Sequence, residues 1–389
     1  MAQTPLVTFT DVVEELLDSQ EIGRTELNLR NAIRAVQEAY RWLSAHNDWS
    51  YYQSRTVIPT VASYSTGTVT GDYTGGAYER MLTLATGTWP SWAAFGKITI
   101  SGTTYTVSTR ESDSIITLSP NSTFQTDIAA GTTYEIFQDT YELPVDYKRM
   151  TRLMDVDNEH EIEIVTDGVQ QVAQTTYYKS PATPWQACIH GVAEYYGSLS
   201  LTFSPPPSTI REYDLLYYRQ PRQLNIEKYN TGTVTVTGGA TAVTGNSTVF
   251  PTDCVGSIIR FSSSATEPTG VAGVSSGTAN RYLAQRTITA RTSDTAITID
   301  AAASSSTLTT VGYVISDPID IEHHSMFGAL RSLALAEYIR LKGHYGESRA
   351  QREEAMRDVR LAKEADNNAP LAARRVPYNP FTRTTHTEA

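Results

Sequence analysis

The residues best suited to chemistry are few and scattered. His323 and His324 stand beside Asp320 and Glu322, a grouping that could begin a metal site. Such a site wants further ligands at helical or cross-strand spacing, and His344 lies about six helical turns on. The pair therefore reads as a solvated or interfacial helix start. Glu161 and Glu163 could form an acid pair, but carboxylates two apart on a strand are also the ordinary pattern of a solvent side. Asp113 and Asp294 recur at matching places in a repeat, and a Ser-Asp turn accounts for both. Arg374 and Arg375 could touch DNA phosphate or an acidic groove, and so short a basic pair reads better as docking onto protein. The tyrosine pairs 177–178, 195–196 and 217–218 could stack on sugars; in strands they serve more often as packing and interface residues. Cys188 and Cys254 read as small core residues rather than as a bridge. The sequence holds no GxGxxG after a strand, Walker A, HExxH, GxSxG or CxxC, so no cofactor, no metal and no enzymatic activity are expected.

With no reaction to position, the question becomes what the elements build. The chain has 389 residues, room for two or three cores. Only 19% of them are charged, below the roughly 25% of an average soluble domain. Tyr is abundant at 23 copies, so polar uncharged strands and turns replace charge on the surface, as in many extracellular or particle-borne β proteins. The formal net charge of −11 argues against a broad nucleic-acid-binding face as the main activity, though an acidic surface could line a passage through which DNA slides. No apolar run approaches the roughly 20 residues of a membrane span, and the N-terminus lacks the pattern of a signal peptide. Synthesis in a reducing cytoplasm, without membrane association, is the expectation.

Helical signals sit at the two ends. A short helix is expected over 11–19, with Asp11 and Glu14 as a capping pair, and a longer one over about 24–47, where Leu29, Ile33, Val36, Tyr40 and Leu43 make one narrow apolar stripe. Near the C-terminus, Phe327, Leu330, Ala334, Tyr338, Leu341 and Tyr345 recur at spacings of three and four. Two helices, about 321–342 and 347–366, follow from this, with Asp320 as a start cap and a Gly-His-Tyr-Gly turn or kink between them. The second carries only a thin seam of Ala355, Val359 and Ala362. These helices need a neighbour, either the N-terminal helices or another subunit.

Between the ends the pattern turns to short alternating strands bounded by Gly, Ser, Thr and Asn. Residues 106–118 (TVSTRESDSIITL) align without a gap with 287–299 (TITARTSDTAITI). Upstream, Thr66-Gly-Thr-Val-Thr70 matches Thr231-Gly-Thr-Val-Thr235, and Trp89-Pro90 matches Phe250-Pro251. Downstream, Tyr134-Glu-Ile136 matches Tyr313-Val-Ile315. Residues 66–138 and 231–316 are thus two copies of one antiparallel module, a sandwich or a barrel. A separate β-rich unit lies between them, with an alternating run at 161–165, a stiff Pro205-Pro206-Pro207 turn and a strand from Glu212 to Arg219. The fold class expected is α+β, in six segments: N-terminal helices 1–55, module copy 1 at 56–140, the central unit 141–228, module copy 2 at 229–317, C-terminal helices 318–366 and an extended arm 367–389. The arm has three prolines and no periodic pattern, so it orders only by lying on something.

This arrangement resembles the head-to-tail adaptor (neck or connector) proteins of tailed bacteriophages, including the tail tubular protein A type. The resemblance is carried by the N-terminal amphipathic helix ending at Trp49, by Tyr141-Glu-Leu-Pro-Val-Asp-Tyr-Lys-Arg-Met150 with Arg152-Leu-Met, and by Ser204-Pro-Pro-Pro leading to Tyr213-Asp-Leu-Leu-Tyr-Tyr-Arg219. The C-terminal helix pair with its arm completes it. The resemblance implies a virion protein: a homo-oligomeric ring, usually of twelve, assembled in the host cytoplasm and docked beneath the capsid portal. Its β parts face the tail or nozzle and any fibres, and genomic DNA passes through without sequence-specific binding. On this reading Leu371, Arg374, Arg375, Val376, Tyr378, Phe381 and Arg383 of the arm grip the portal. Leu29, Ile33, Val36, Tyr40, Phe327, Leu330, Tyr338 and Leu341 meet neighbouring subunits. The competing reading is a tail or fibre-associated β protein that binds host-surface carbohydrate, which would show exposed aromatic clusters at equivalent positions of both modules.

Overall fold

A computed structural model describes residues 7–19, 25–73, 79–166, 168, 180–191, 199–268, 282–322 and 325–367. The chain is α+β and divides into two units, one made of Met1–Tyr51 with Pro221–Ala389, the other of Tyr52–Gln220. The six expected segments thus gather into two bodies: the second module belongs with the terminal helices, the first with the central β unit.

In the first unit, the helices are α1 (Phe9–Ser19), α2 (Glu26–His46), α3 (Met326–Leu341) and α4 (Tyr345–Asn367). Helix α1 starts two residues earlier than expected, and its capping pair is Thr8 with Asp11 rather than Asp11 with Glu14. Thr8 N donates to Asp11 Oδ2 at 2.9 Å, and Asp11 N donates back to Thr8 Oγ1 at 3.4 Å, a reciprocal box with Asp11 as its inner member. Thr25 caps α2, accepting from Asn28 N. Asp320 does not cap α3. Glu322 takes the Ser325 amide instead, at 2.7 Å, and Asp320 accepts from Tyr51 Oη and Arg222 N. Gly343, at φ +87°, ends α3, and α4 restarts two residues later, so the C-terminal pair is two helices joined by a turn. The layer forms because each apolar stripe covers another. Helix α2 packs on α1 and α3, and α3 packs on α4. Ala32, Val36, Ala39 and Leu43 of α2 and Leu330, Ala334 and Tyr338 of α3 are all buried. Each large apolar side chain so covered contributes about 1.5–3 kcal/mol. Ion pairs Arg331–Glu15 (2.5 Å), Arg340–Glu38 (2.7 Å) and Arg352–Glu337 (3.0 Å) cross between helices at the surface, where each adds under about 1 kcal/mol.

The two modules share one topology. In the first, the strand order is 128–132, 69–71, 81–84, 115–118, 103–110, 97–100, 134–137; in the second it is 308–311, 233–236, 242–246, 296–299, 284–293, 258–261, 313–316. The outermost strands in each list are separated by one residue, Thr133 or Gly312. One bent strand therefore supplies both ends of the order and wraps the sheet into a barrel, which leaves little free edge. Bulges fall at matching places too, between Val107 and Thr109 and between Ile288 and Ala290.

The central unit is a sandwich of two four-stranded sheets. Strands Gln53–Pro59, Glu212–Arg219, Tyr147–Asp155 and His160–Glu161 form one; Glu163–Val165, Gln186–Gly191, Leu199–Ser204 and Thr140–Glu142 form the other. Ile58, Leu153, Tyr213 and Leu215 from the first face Ala187, Leu201 and Phe203 from the second. The run 161–165 is not a single strand. It changes sheets at Ile162, which is 2% exposed.

Candidate interaction surfaces

Few of the sequence candidates converge. Glu161 lies opposite Met154 in one sheet and Glu163 opposite Gln186 in the other, so they are not a pair on one face. Arg152 reaches Glu161 at 3.7 Å and Gln186 Nε2 donates to Glu163 at 3.2 Å. Asp113 and Asp294 hold up a duplicated clamp. Arg110 donates from Nε and Nη2 to the Trp89 carbonyl at 3.1 and 2.9 Å and pairs with Asp113; Arg291 donates to the Phe250 carbonyl at 3.0 Å and pairs with Asp294. These aspartates orient an arginine that satisfies a carbonyl beside a buried aromatic. Cys188 and Cys254 are both free and buried, and burial pushes the Cys254 thiol up. Tyr217 is buried, stacked on Tyr147 at 5.9 Å, while Arg149 covers the Tyr218 ring at 5.4 Å, which is packing. His323, His324, the tyrosine pairs 177–178 and 195–196, and all seven arm residues from Leu371 to Arg383 lie outside the described residues.

The helix stripes require a correction. Val36, Tyr40, Leu330 and Tyr338, expected to meet another subunit, are buried inside the one chain because α2 and α3 cover each other. The Tyr40 hydroxyl is also spoken for, donating to the Arg222 carbonyl at 2.9 Å. Ile33, Phe327 and Leu341 are half-buried, and only Leu29, at 37%, is exposed. Beside Leu29, the helices leave open Tyr345, the last member of the C-terminal stripe, and two positions outside the stripes, Leu27 at 61% and Leu361 at 57%.

A buried junction also went unread. Asp317, fully buried, accepts from Asn225 N (2.7 Å), Ile226 N (2.8 Å), Ser257 Oγ (2.7 Å) and Arg222 Nη2 (3.0 Å). Arg222 continues to the Val255 and Asp253 carbonyls. On the far side of the same segment, Phe9 N donates to the Asp317 carbonyl and Arg260 makes a bidentate pair with Asp11 (2.6 and 2.7 Å). The second barrel is thereby fixed to α1 and to the segment 222–226. No sequence signal marked it beyond the Asp-Pro that follows the last strand.

Comparison with known proteins finds no matching family model and no significant match among curated proteins. Among the described residues no group of His, Cys, Asp and Glu could hold a metal ion, and no helix is long and apolar enough to cross a membrane.

Proposed function

We propose that this chain is a structural, non-enzymatic virion component: a head-to-tail adaptor of a tailed bacteriophage. It closes into a ring, grips the capsid portal with its C-terminal arm, meets tail or nozzle proteins on its other side and surrounds the DNA path. The observation that carries the reading is the construction of the first unit. Helices α1 and α2 share one layer with α3 and α4, and a barrel is borne between the two pairs on a buried ionic junction. That is a stiff scaffold whose polar groups are spent on structure. With the main stripes covered inside the chain, contacts between copies fall to the open flanks, Leu29 on α2 and Tyr345 and Leu361 on α4.

The carbohydrate reading is less well supported. Of the aromatics common to both barrels, Trp89 and Phe250 are each 1% exposed, Tyr134 and Tyr313 are buried, and Tyr64 and Tyr229 are partly buried with their rings packed against the cores. At the matching exposed position, Phe95 in one barrel is answered by Val255 in the other, so no duplicated aromatic platform exists there.

Mass photometry of the full chain, alone and mixed with portal protein, tests the proposal. The expected result is a closed ring, twelve copies by the resemblance, that binds portal and loses portal binding when the chain is cut after Asn367. A monomer under both conditions would sink it.

A further inference from the structure

On α2, Ala32, Val36, Ala39 and Leu43 face the interior. At 3.6 residues per turn, Arg30, Arg34 and Arg41 fall within about 40° of one another and directly opposite that seam. All three are exposed. They form a stripe on the solvent face, with rises of about 6 and 10 Å between successive members.

The stripe runs against what helix stability alone would select. Arg30 and Arg34 are like charges four apart, a pairing that weakens a helix by a few tenths of a kcal/mol. Arg30 has a loose contact with Glu26 at 3.9 Å, both side chains largely in water. Glu38, four residues after Arg34, is taken by Arg340 of α3. Among the described residues Arg34 and Arg41 have no carboxylate partner, whereas Arg331, Arg340 and Arg352 in the same layer are all ion-paired. On a chain of net charge −11, a stripe of three arginines of which two have no carboxylate partner among the described residues, and the third only the loose contact with Glu26, calls for an external anion.

We infer that the solvent face of α2 is a contact for the phosphate backbone of duplex DNA, made by Arg30, Arg34 and Arg41. The guanidinium fork matches phosphate oxygens in a way an ammonium does not. The face carries little apolar surface apart from Leu27, so it lacks the greasy centre of a protein interface, while a phosphate contact needs only donors. Confined to one stripe on an acidic molecule, the contact is weak and independent of base sequence. The inference rests on the proposed function in that DNA must pass close to the helical layer.

The test is fluorescence anisotropy of a labelled duplex with the full chain across a salt series, comparing wild type with Arg34→Gln/Arg41→Gln and with a control on α4, Arg349→Gln/Arg357→Gln. The control removes exposed arginines already paired to Glu353 and Glu354. The α2 variant is expected to lose at least about tenfold in affinity at about 50 mM salt, and its log–log salt slope to fall by about two. The control stays near wild type. Absence of duplex binding by wild type at the lowest salt, or equal effects of the two variants, overturns the inference. So does a change in oligomer mass without a change in DNA binding, which would assign the face to an acidic surface on a second copy. Ring formation is read separately: a chain that binds duplex through α2 but forms no ring defeats the adaptor proposal alone.

Discussion

The two barrels are the same device set in different mounts. Each has a tyrosine before the first strand that pairs with the last one, Tyr64 with Ile136 and Tyr229 with Ile315. In each, that phenol oxygen accepts the amide just before the buried aromatic, Thr88 N at 3.2 Å and Val249 N at 3.0 Å. Tyr134 and Tyr313 each donate to the carbonyl of the threonine ahead of the turn glycine, Thr66 and Thr231, both at 2.7 Å. The anchors differ. Asp139 after the first barrel takes Lys97 Nζ at 2.6 Å, and the Lys97 side chain is 32% exposed. After the second, Asp317, buried as Asp139 is, gathers two backbone amides, a serine and an arginine that is itself 31% exposed, and ties the barrel to helices. The contrast teaches that the barrel's interior is set by its own repeat, while its attachment is improvised by the residues just outside it.

The sharpest way to break that comparison is to remove the anchors. Asp317→Ala leaves two backbone amides without their acceptor in a buried place, beside a part-exposed guanidinium that keeps the Val255 and Asp253 carbonyls, and about 3–5 kcal/mol of stability should be lost. Asp139→Ala takes the acceptor from Lys97, which can turn to water, and from the Thr140 hydroxyl, for about 1–2 kcal/mol. Amide hydrogen exchange reads the two separately. Asp317→Ala should deprotect 231–316 and α1 while 66–138 keeps its protection. Equal deprotection of both barrels by either variant would mean that the anchors are equivalent.

Next in size are changes that should affect both barrels alike. Gly67 and Gly232 occupy matching turns at φ +87° and +79°, and an added Cβ would stand 1.9 Å from the Thr86 carbonyl oxygen and 2.4 Å from that of Asn246. Alanine at either should destabilise its own barrel by about 2–3 kcal/mol, through conformation and clash together. Smaller still is the clamp: Arg110→Gln and Arg291→Gln each free a carbonyl beside the buried aromatic, for about 1–2 kcal/mol. Thermal or urea unfolding followed by exchange in each barrel should give near-equal shifts. A twofold disparity would show that one clamp has become redundant.

Much of this was legible in the sequence because it is local. The gapless match of 106–118 with 287–299 carries its alternation, its turn and its bulge together, so the duplication and its strands could be read directly. Other features needed geometry. Asp317 and Arg222 lie 95 residues apart, and nothing short-range links an aspartate after a strand to an arginine before a barrel. The α2 stripe reads from sequence as the natural partner of the C-terminal helices, and the two ends of the chain do meet in one layer. What the stripes alone do not say is that this pairing leaves Val36, Tyr40, Leu330 and Tyr338 nothing to offer another subunit. The alternation at 161–165 holds only in its first half: Ile162, where the chain changes sheets, is buried, whereas Ile164 beyond the crossing is 43% exposed. At α1 the capping pair was placed three residues late, since Asp11 looks like a start residue until Thr8 is seen to face it.

The subtlest difference between the mounts is one of charge. Glu227 lies just before the second barrel, where the first has Ala62. Burial holds the Glu227 carboxyl above its ordinary value, opposed by Lys228 and reinforced by Glu14. The folded chain therefore keeps a proton on Glu227 at pH values where the unfolded chain has released it. Between the ordinary carboxylate value, about 4.3, and the raised native one, stability must fall as pH rises, and it stays lower above that window. Glu227→Gln removes the dependence: the variant should match wild type at acid pH and exceed it slightly at neutral pH, the smallest of these effects. Exchange of the second barrel followed from pH 4 to 7 and corrected for intrinsic rates should show the slope in wild type only. The first barrel, with alanine at that place, supplies the internal control, and a slope shared by both barrels would trace the dependence to the module itself rather than to its mount.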